Sequence, residues 1–156
     1  MKTGIIFDID EVCSITFEKE LMKEHAQEIL VDDYTWFLPL IKTFKASKSS
    51  IALINAMSIQ HKIIFVTSRN ERTRSKTINW INNNYIFPEN NTYLLYCREM
   101  TDLRSAYLVK KDLYLDHIKD KFDIIFALDD LKRVCKVWQD LDIDSYQVRL
   151  AYNKKG

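Results

Sequence analysis

Apolar and polar positions fall in blocks along this chain. Four blocks rich in β-branched and aromatic residues run into polar ones: Ile5-Ile6-Phe7-Asp8-Ile9-Asp10, Ile63-Ile64-Phe65-Val66-Thr67-Ser68-Arg69, Leu108-Val109-Lys110-Lys111 and Ile124-Ile125-Phe126-Ala127-Leu128-Asp129-Asp130. Continuous apolar runs of this kind predict strands buried on both faces of a parallel sheet. They place strands at about 3–9, 62–67 and 122–128, with shorter ones at about 92–96 and 145–149. Helical spacing of apolar residues predicts helices over 17–30, 36–44, 47–60, 72–84, 105–119 and 131–141, the Lys110 block lying inside the fifth.

Strands that alternate with helices imply right-handed crossovers and a sheet covered on both faces. The expected architecture is therefore an α/β, Rossmann-like three-layer fold with a central parallel sheet of about five strands. A single domain over 1–156 accommodates it. More helix lies between Asp10 and Thr67 than one crossover needs. The surplus, about 13–45, predicts a small helical cap inserted after the first strand. In open α/β sheets ligands bind beyond the carboxyl ends of the strands. The polar residues that close the apolar blocks are thus expected on one rim.

Composition narrows the classes of function. A net charge of +1 argues against a general nucleic-acid coat or a membrane surface, so any basic footprint has to be local. No stretch reaches the roughly 18 apolar residues that a bilayer span requires. Cys13, Cys97 and Cys135 are far apart and lack metal-ligand spacing. With no secretory signal pattern after Met1-Lys2-Thr3, they point to a reducing, cytoplasmic setting.

The four polar endings suit Mg²⁺-dependent phosphoryl chemistry. A carboxylate can attack phosphorus to form an acyl phosphate, and a second can protonate the leaving oxygen and then activate water. Mg²⁺ prefers oxygen ligands, which Asp129 and Asp130 would supply beside the first strand. Thr67 offers a hydroxyl and Lys110 a positive charge for the transferred group. Taken singly, each has a structural alternative. Asp-x-Asp serves as a turn, Asp129-Asp130 as a helix cap, Thr67 as a strand-end hydroxyl and Lys110 as a solvated helix residue.

In joint order these residues resemble the haloacid dehalogenase superfamily of phosphotransferases. Its four motifs are Asp-x-Asp on the first strand, Thr or Ser on the second, a Lys further on and an acidic pair near the end. Phosphoacceptor receiver domains use similar residues, but there the acidic pair precedes the phosphorylated Asp. Within the superfamily the chain resembles the 3′-phosphatase domain of bacteriophage polynucleotide kinase. The shared stretches include Val66-Thr67-Ser68-Arg69-Asn70-Glu71, Cys97-Arg98-Glu99 with Asp102 and Arg104, Val109-Lys110-Lys111, and Ala127-Leu128-Asp129-Asp130. The resemblance implies that Asp8 is the nucleophile and a Mg²⁺ ligand. It implies that Asp10 is the general acid/base, with its backbone carbonyl on the metal. Thr67, Ser68 and Lys110 would hold the phosphoryl group, Asp130 and Asp129 would complete the metal site, and Arg69, Arg98 and Arg104 would bind substrate or phosphate.

The chain departs from the superfamily in having Glu11-Val12 where Gly-Thr is usual. Ser68 stands where the family has Gly, Ala106 where it has an acidic residue and Leu131 where it has Arg.

Five of the seven arginines, Arg69, Arg72, Arg74, Arg98 and Arg104, follow the second and third strands. Guanidinium forks match phosphate oxygens, so the clustering suits a substrate with more than one phosphate. Tyr34, Trp36, Tyr96 and Tyr107 are candidates for stacking on a base. The expected partner is a phosphorylated nucleic-acid 3′ end or a nucleotide. The alternatives are a 5′-nucleotide or small-metabolite phosphatase, and a catalytically weakened module that binds nucleic-acid ends or protein.

Overall fold

The computed structural model describes residues 1–31 and 34–151. Its main sheet is built from β1 (Lys2–Phe7), β4 (Lys62–Asn70), β5 (Leu94–Arg98), β6 (Phe122–Asp129) and β7 (Ser145–Gln147). The order is β5-β4-β1-β6-β7, and every neighbouring pair is parallel. β1 sits in the middle. From it the chain winds outward through β4 and β5, then crosses back to β6 and β7. That reversal makes the carboxyl ends of β1 and β6 the topological switch point, where α/β sheets bind ligands.

Side chains alternate across the sheet because the strand period is two. Ile5, Phe7, Ile63 and Phe65 enter one buried cluster with Ile54, Trp80, Ile81 and Tyr85. These come from or follow α3 (Lys48–Met57) and α4 (Arg74–Asn84). Ile6, Ile64 and Val66 enter the opposite cluster with Tyr114, Val134 and Trp138, which belong to α5 (Ala106–His117) and α6 (Lys132–Asp140). The result is the expected three-layer fold. At the base of β1, Gly4 permits close packing: an added Cβ would come within 3.0 Å of both Ile124 and Ile64 side chains. The β1–β6 register shifts at the same place, between Gly4 and Ile5.

The helical surplus after β1 has a structural frame that the apolar pattern did not announce. β2 (Ser14–Ile15) pairs antiparallel with β3 (Lys45–Ala46). This two-stranded ribbon gathers both ends of the intervening segment. The predicted helix over 17–30 is divided into α1 (Glu18–Glu24) and α2 (Ala26–Leu30) at His25, whose backbone leaves helical geometry. The His25 ring stacks on Trp36 at 3.9 Å. The expected helix over 36–44 is a 3-10 stretch, Thr35–Thr43, with Pro39 inside it. Proline has no N–H for an α-helical bond and clashes with the carbonyl four residues back, which disfavours continuous α-helix. The cap expectation also covers Asp32 and Asp33, which lie outside the described residues.

All three cysteines are buried and free. Among the described residues, no helix is long and apolar enough to cross a membrane.

Candidate active site

The site grows from the switch point. The Asp8 amide bonds to the Leu128 carbonyl at 2.9 Å, tying the end of β1 to β6. Lys110, on the first half of α5, is only 1% exposed. Its ammonium lies 2.9 Å from Asp8 Oδ1 and 2.6 Å from Asp129 Oδ2. Asp129 uses its other oxygen to accept from the Leu131 amide at 3.0 Å. It therefore serves the start of α6 and the ion pair together. Asp130 is half-buried beside them.

Carboxylate oxygens of Asp8, Asp129 and Asp130 all lie within 4.8 Å of one another. Three carboxylates against one ammonium leave an excess of two negative charges (3 − 1 = 2) in a buried setting. Burial raises the Asp8 carboxyl well above the usual range, against the pull of Lys110 and with help from Asp129, Asp130 and Asp10. Burial and then Asp129 raise Asp130 to about 6. A hard divalent cation with oxygen ligands is what such a donor set accommodates. The residues present fit Mg²⁺.

Asp10 sits apart from this cluster. Its carboxylate is gripped by Arg69 through Nε at 2.9 Å and Nη2 at 2.6 Å, and it accepts from Ser14 Oγ at 3.3 Å. Arg69 is buried and also donates to Thr77 Oγ1 at 3.1 Å. Its guanidinium lies 5.3 Å from the centre of the Phe37 ring. Thr67 is fully buried at the carboxyl end of β4. Phe7 is level with Phe65, so the strand register carries Thr67 one residue past the level of Asp8. Its hydroxyl oxygen accepts from the Arg69 amide at 3.1 Å, which leaves the hydroxyl hydrogen for donation.

The remaining arginines are more engaged than their clustering suggests. Arg98 donates Nε to the Ser68 carbonyl at 3.0 Å and Nη1 to the Asp102 carbonyl at 3.0 Å and the Arg104 carbonyl. Arg104 pairs with Asp102 and Asp112, each at 2.8 Å. Arg74 pairs with Glu71 at 2.6 Å. Ser68, Arg69, Arg98 and Arg104 nonetheless border one cavity of about 270 Å³ next to Asp10. Tyr34 and Trp36 also line it. The other two candidate aromatics are occupied elsewhere: Tyr96 stacks on His117, and Tyr107 lies under Arg133.

Glu11 resolves the departure from glycine. It takes the left-handed backbone at φ 62°, a conformation costing an ordinary residue about 1–2 kcal/mol. Its buried carboxylate accepts from Thr16 Oγ1 at 2.5 Å, from the Thr16 amide at 3.3 Å and from the Glu18 amide at 3.1 Å. The side chain that strains the turn also pins the first turn of α1. Sequence reasoning did not single out Glu18, which lines the cavity with Asp10. Partial desolvation by the surrounding protein, then Asp10, Asp130 and Glu11, raise its carboxyl to about 7, although the residue keeps contact with solvent. Seven residues, including β2, separate Glu18 from Asp10, so neither spacing nor pattern links them.

A family model described as the polynucleotide kinase PNKP phosphatase domain matches residues 39–151. The chain belongs to this family of haloacid dehalogenase phosphatases. It is 32% identical over 81 residues to a candidate bifunctional polynucleotide kinase/RNA ligase of Autographa californica nuclear polyhedrosis virus, a stretch covering 52% of this chain and 11% of the relative. The fold is similar to a chain of the solved Pnkp1/Rnl/Hen1 complex, with a TM-score of 0.71 and 22% identity, over 96% of this chain and 46% of that one. It is also similar to a haloacid dehalogenase family enzyme of Bacteroides thetaiotaomicron solved with magnesium and inorganic phosphate. There the TM-score is 0.58 and the identity 14%, over 97% of this chain and 96% of that one. The chain thus spans about a tenth of the viral relative and under half of the Pnkp1-complex chain.

Proposed function

We propose that this chain is a Mg²⁺-dependent phosphatase that removes a phosphomonoester from a nucleic-acid 3′ end or a nucleotide, through a phosphoaspartate on Asp8. The observation that carries the reading is the buried Lys110 bridge between Asp8 and Asp129, with Asp130 beside them. Lys110 fixes the Asp8 carboxylate, and Asp8, Asp129 and Asp130 would hold the ion, with the Asp10 carbonyl as a further ligand. Bound Mg²⁺ supplies charge neutralisation at the phosphoryl oxygens.

An Asp8 oxygen attacks phosphorus, and the bond from phosphorus to the ester oxygen breaks. Asp10 gives its proton to the departing oxygen. Asp10 then takes a proton from water, whose oxygen attacks the phosphorus of the acyl phosphate. The bond to Asp8 breaks, inorganic phosphate leaves, and both aspartates return to their starting states. Thr67 and the Ser68 amide hold the phosphoryl oxygens during both steps. Asp10 can reach the departing oxygen only if its grip by Arg69 loosens, because the guanidinium holds both carboxylate oxygens. The segment between β2 and β3 acts as a cap beside the reacting centre.

The test is phosphate release with Mg²⁺ from matched 3′- and 5′-phosphorylated oligonucleotides and from a panel of monophosphates. The expected result is preference for the 3′-phosphorylated oligonucleotide and loss of release in Asp8→Asn, with the fold retained. Preference for a small monophosphate would move the assignment to a metabolite phosphatase. Binding of 3′ ends without turnover at saturating Mg²⁺ would make the chain an end-binding module.

A further inference from the structure

The cavity beside Asp10 has two chemically different walls. One wall comes from the segment framed by the β2–β3 ribbon and carries Tyr34, Trp36, Leu21 and Met22. Tyr34 is 38% exposed and Met22 40% exposed, so an aromatic and a thioether on this wall remain open to solvent. A second part of the lining comes from the ends of β4 and β5 and carries Ser68 and Arg98.

The two walls are built differently. Trp36 is held in place on one side by the parallel His25 ring at 3.9 Å, and at its edge by Phe37 at 5.7 Å. An indole braced in this way is a preformed surface whose ordering cost is already met by folding. Arg98 is braced through neutral carbonyl oxygens of Ser68, Asp102 and Arg104. Its hydrogen bonds therefore orient it, and among the described residues no carboxylate forms an ion pair with it. Arg104, by contrast, is paired with two carboxylates. The cavity is thus lined by both a braced aromatic surface and a braced guanidinium, together with Asp10 and Glu18.

We propose that this cavity is a nucleobase subsite: the terminal base of a 3′-phosphorylated strand packs on the Trp36 and Tyr34 wall, while Arg98 faces the adjoining phosphodiester. This rests on the phosphatase reading above and specifies what the enzyme holds besides phosphate. A base has a flat π-face for the aromatic wall, and the strand's next phosphate brings the negative charge that Arg98 complements. A volume of about 270 Å³ lies at the small end of ligand pockets. It suits one nucleoside rather than a stretch of folded polymer. Stacking of this kind tolerates any base, so the subsite selects for the presence of a base and not for its identity.

The experiment compares two oligonucleotides with Mg²⁺, one ending in an ordinary 3′-phosphorylated nucleotide and one ending in a 3′-phosphorylated abasic residue. Base stacking on aromatic side chains is worth enough to change kcat/KM by about tenfold to a hundredfold. The wild-type protein is expected to prefer the base-bearing end by that factor. Trp36→Ala should lose it on the base-bearing end and change little on the abasic one, with Trp36→Phe restoring part of the preference. Retention of the unfolding midpoint by Trp36→Phe separates stacking from the structural role of the His25 contact. Equal rates on both ends in the wild type would overturn the subsite while leaving the phosphatase reading intact. An equal fall on both ends in Trp36→Ala would also overturn it, since the residue would then be only structural. Release from neither end, with p-nitrophenyl phosphate still hydrolysed, would overturn the nucleic-acid reading and the subsite with it.

Discussion

Lys110→Met is the substitution whose effect the structure fixes most closely. The ammonium is buried and bonds to two carboxylates, Asp8 at 2.9 Å and Asp129 at 2.6 Å. Methionine fills much of the same volume but leaves both acids without their counter-ion. Breaking one partner out of a buried pair costs about 3–5 kcal/mol, against a total stability of about 5–15 kcal/mol for a domain. Its neighbours raise the Lys110 pKa above its ordinary value, by Asp129 and then Asp8, against the opposing effect of burial. A raised folded-state pKa for a lysine means that its stabilisation is fully present below the unfolded value and fades only as pH climbs past it. The loss should therefore appear in full at pH 7.5. Adding Asp129→Asn removes one orphaned charge and keeps an oxygen for the Leu131 amide. The double variant should then be more stable than Lys110→Met alone, with a coupling of about 1–3 kcal/mol. Urea unfolding with EDTA present, followed by tryptophan fluorescence, measures all four proteins of the cycle. A loss under about 1 kcal/mol in Lys110→Met, or strict additivity in the double variant, would refute the reasoning, because the pair would then not be electrostatically closed.

The other predictions concern the turn, the cavity and the ion. Glu11→Gly relieves a left-handed strain of about 1–2 kcal/mol but removes an acceptor for three donors, with charge-assisted bonds worth about 1.5–3 kcal/mol each. The net expectation is a lower urea midpoint and faster proteolysis within α1; a gain in stability would contradict it. Glu18 is raised from 4.5 to about 7, so the folded state holds its proton more tightly than the unfolded chain does. Stability is thus lost as pH rises from about 4.5 to 7, although Glu18's solvent exposure screens part of the effect. In EDTA, Glu18→Gln should match the wild-type Tm at pH 4 and exceed it at pH 8; an equal difference at both would rule out this origin. Mg²⁺ at a hundred times its Kd should add about 2.7 kcal/mol, raising Tm by several degrees. Asp130→Asn should weaken that response, and an unchanged shift would place the ion elsewhere.

The centre of the sheet was legible because β1 and β4 are largely buried on both faces and so read as unbroken apolar runs. The switch point followed from strand order, and it explains why Asp8 and Asp129, so distant in the chain, stand beside one Lys110 ammonium. Other features left no periodic trace. The β2–β3 ribbon has two residues per strand, too few for alternation to register. The division of the first cap helix depends on His25 meeting Trp36, a tertiary contact. Pro39 did carry a warning, since an apolar helical pattern containing proline invites a tighter or broken helix. The arginines show the limit most clearly. Their clustering near the rim was visible, but Arg69 closes on Asp10 from 59 residues away, and Arg104 is paired with Asp102 and Asp112. Charge counts do not distinguish such arginines from ones left open to ligand. The glycine departure was visible too. Its resolution, a carboxylate that pins the start of α1, needed the folded loop.

The decisive measurement is transfer of the phosphoryl group to the protein. A strand carrying a radiolabelled 3′-phosphate is mixed with the protein and Mg²⁺, quenched in acid during turnover, and digested for peptide mapping. Label is expected on the peptide containing Asp8, released by hydroxylamine as an acyl phosphate should be, and absent in Asp8→Asn. Continued phosphate release by Asp8→Asn, with no label on the protein at any time, would contradict a phosphoaspartate on Asp8.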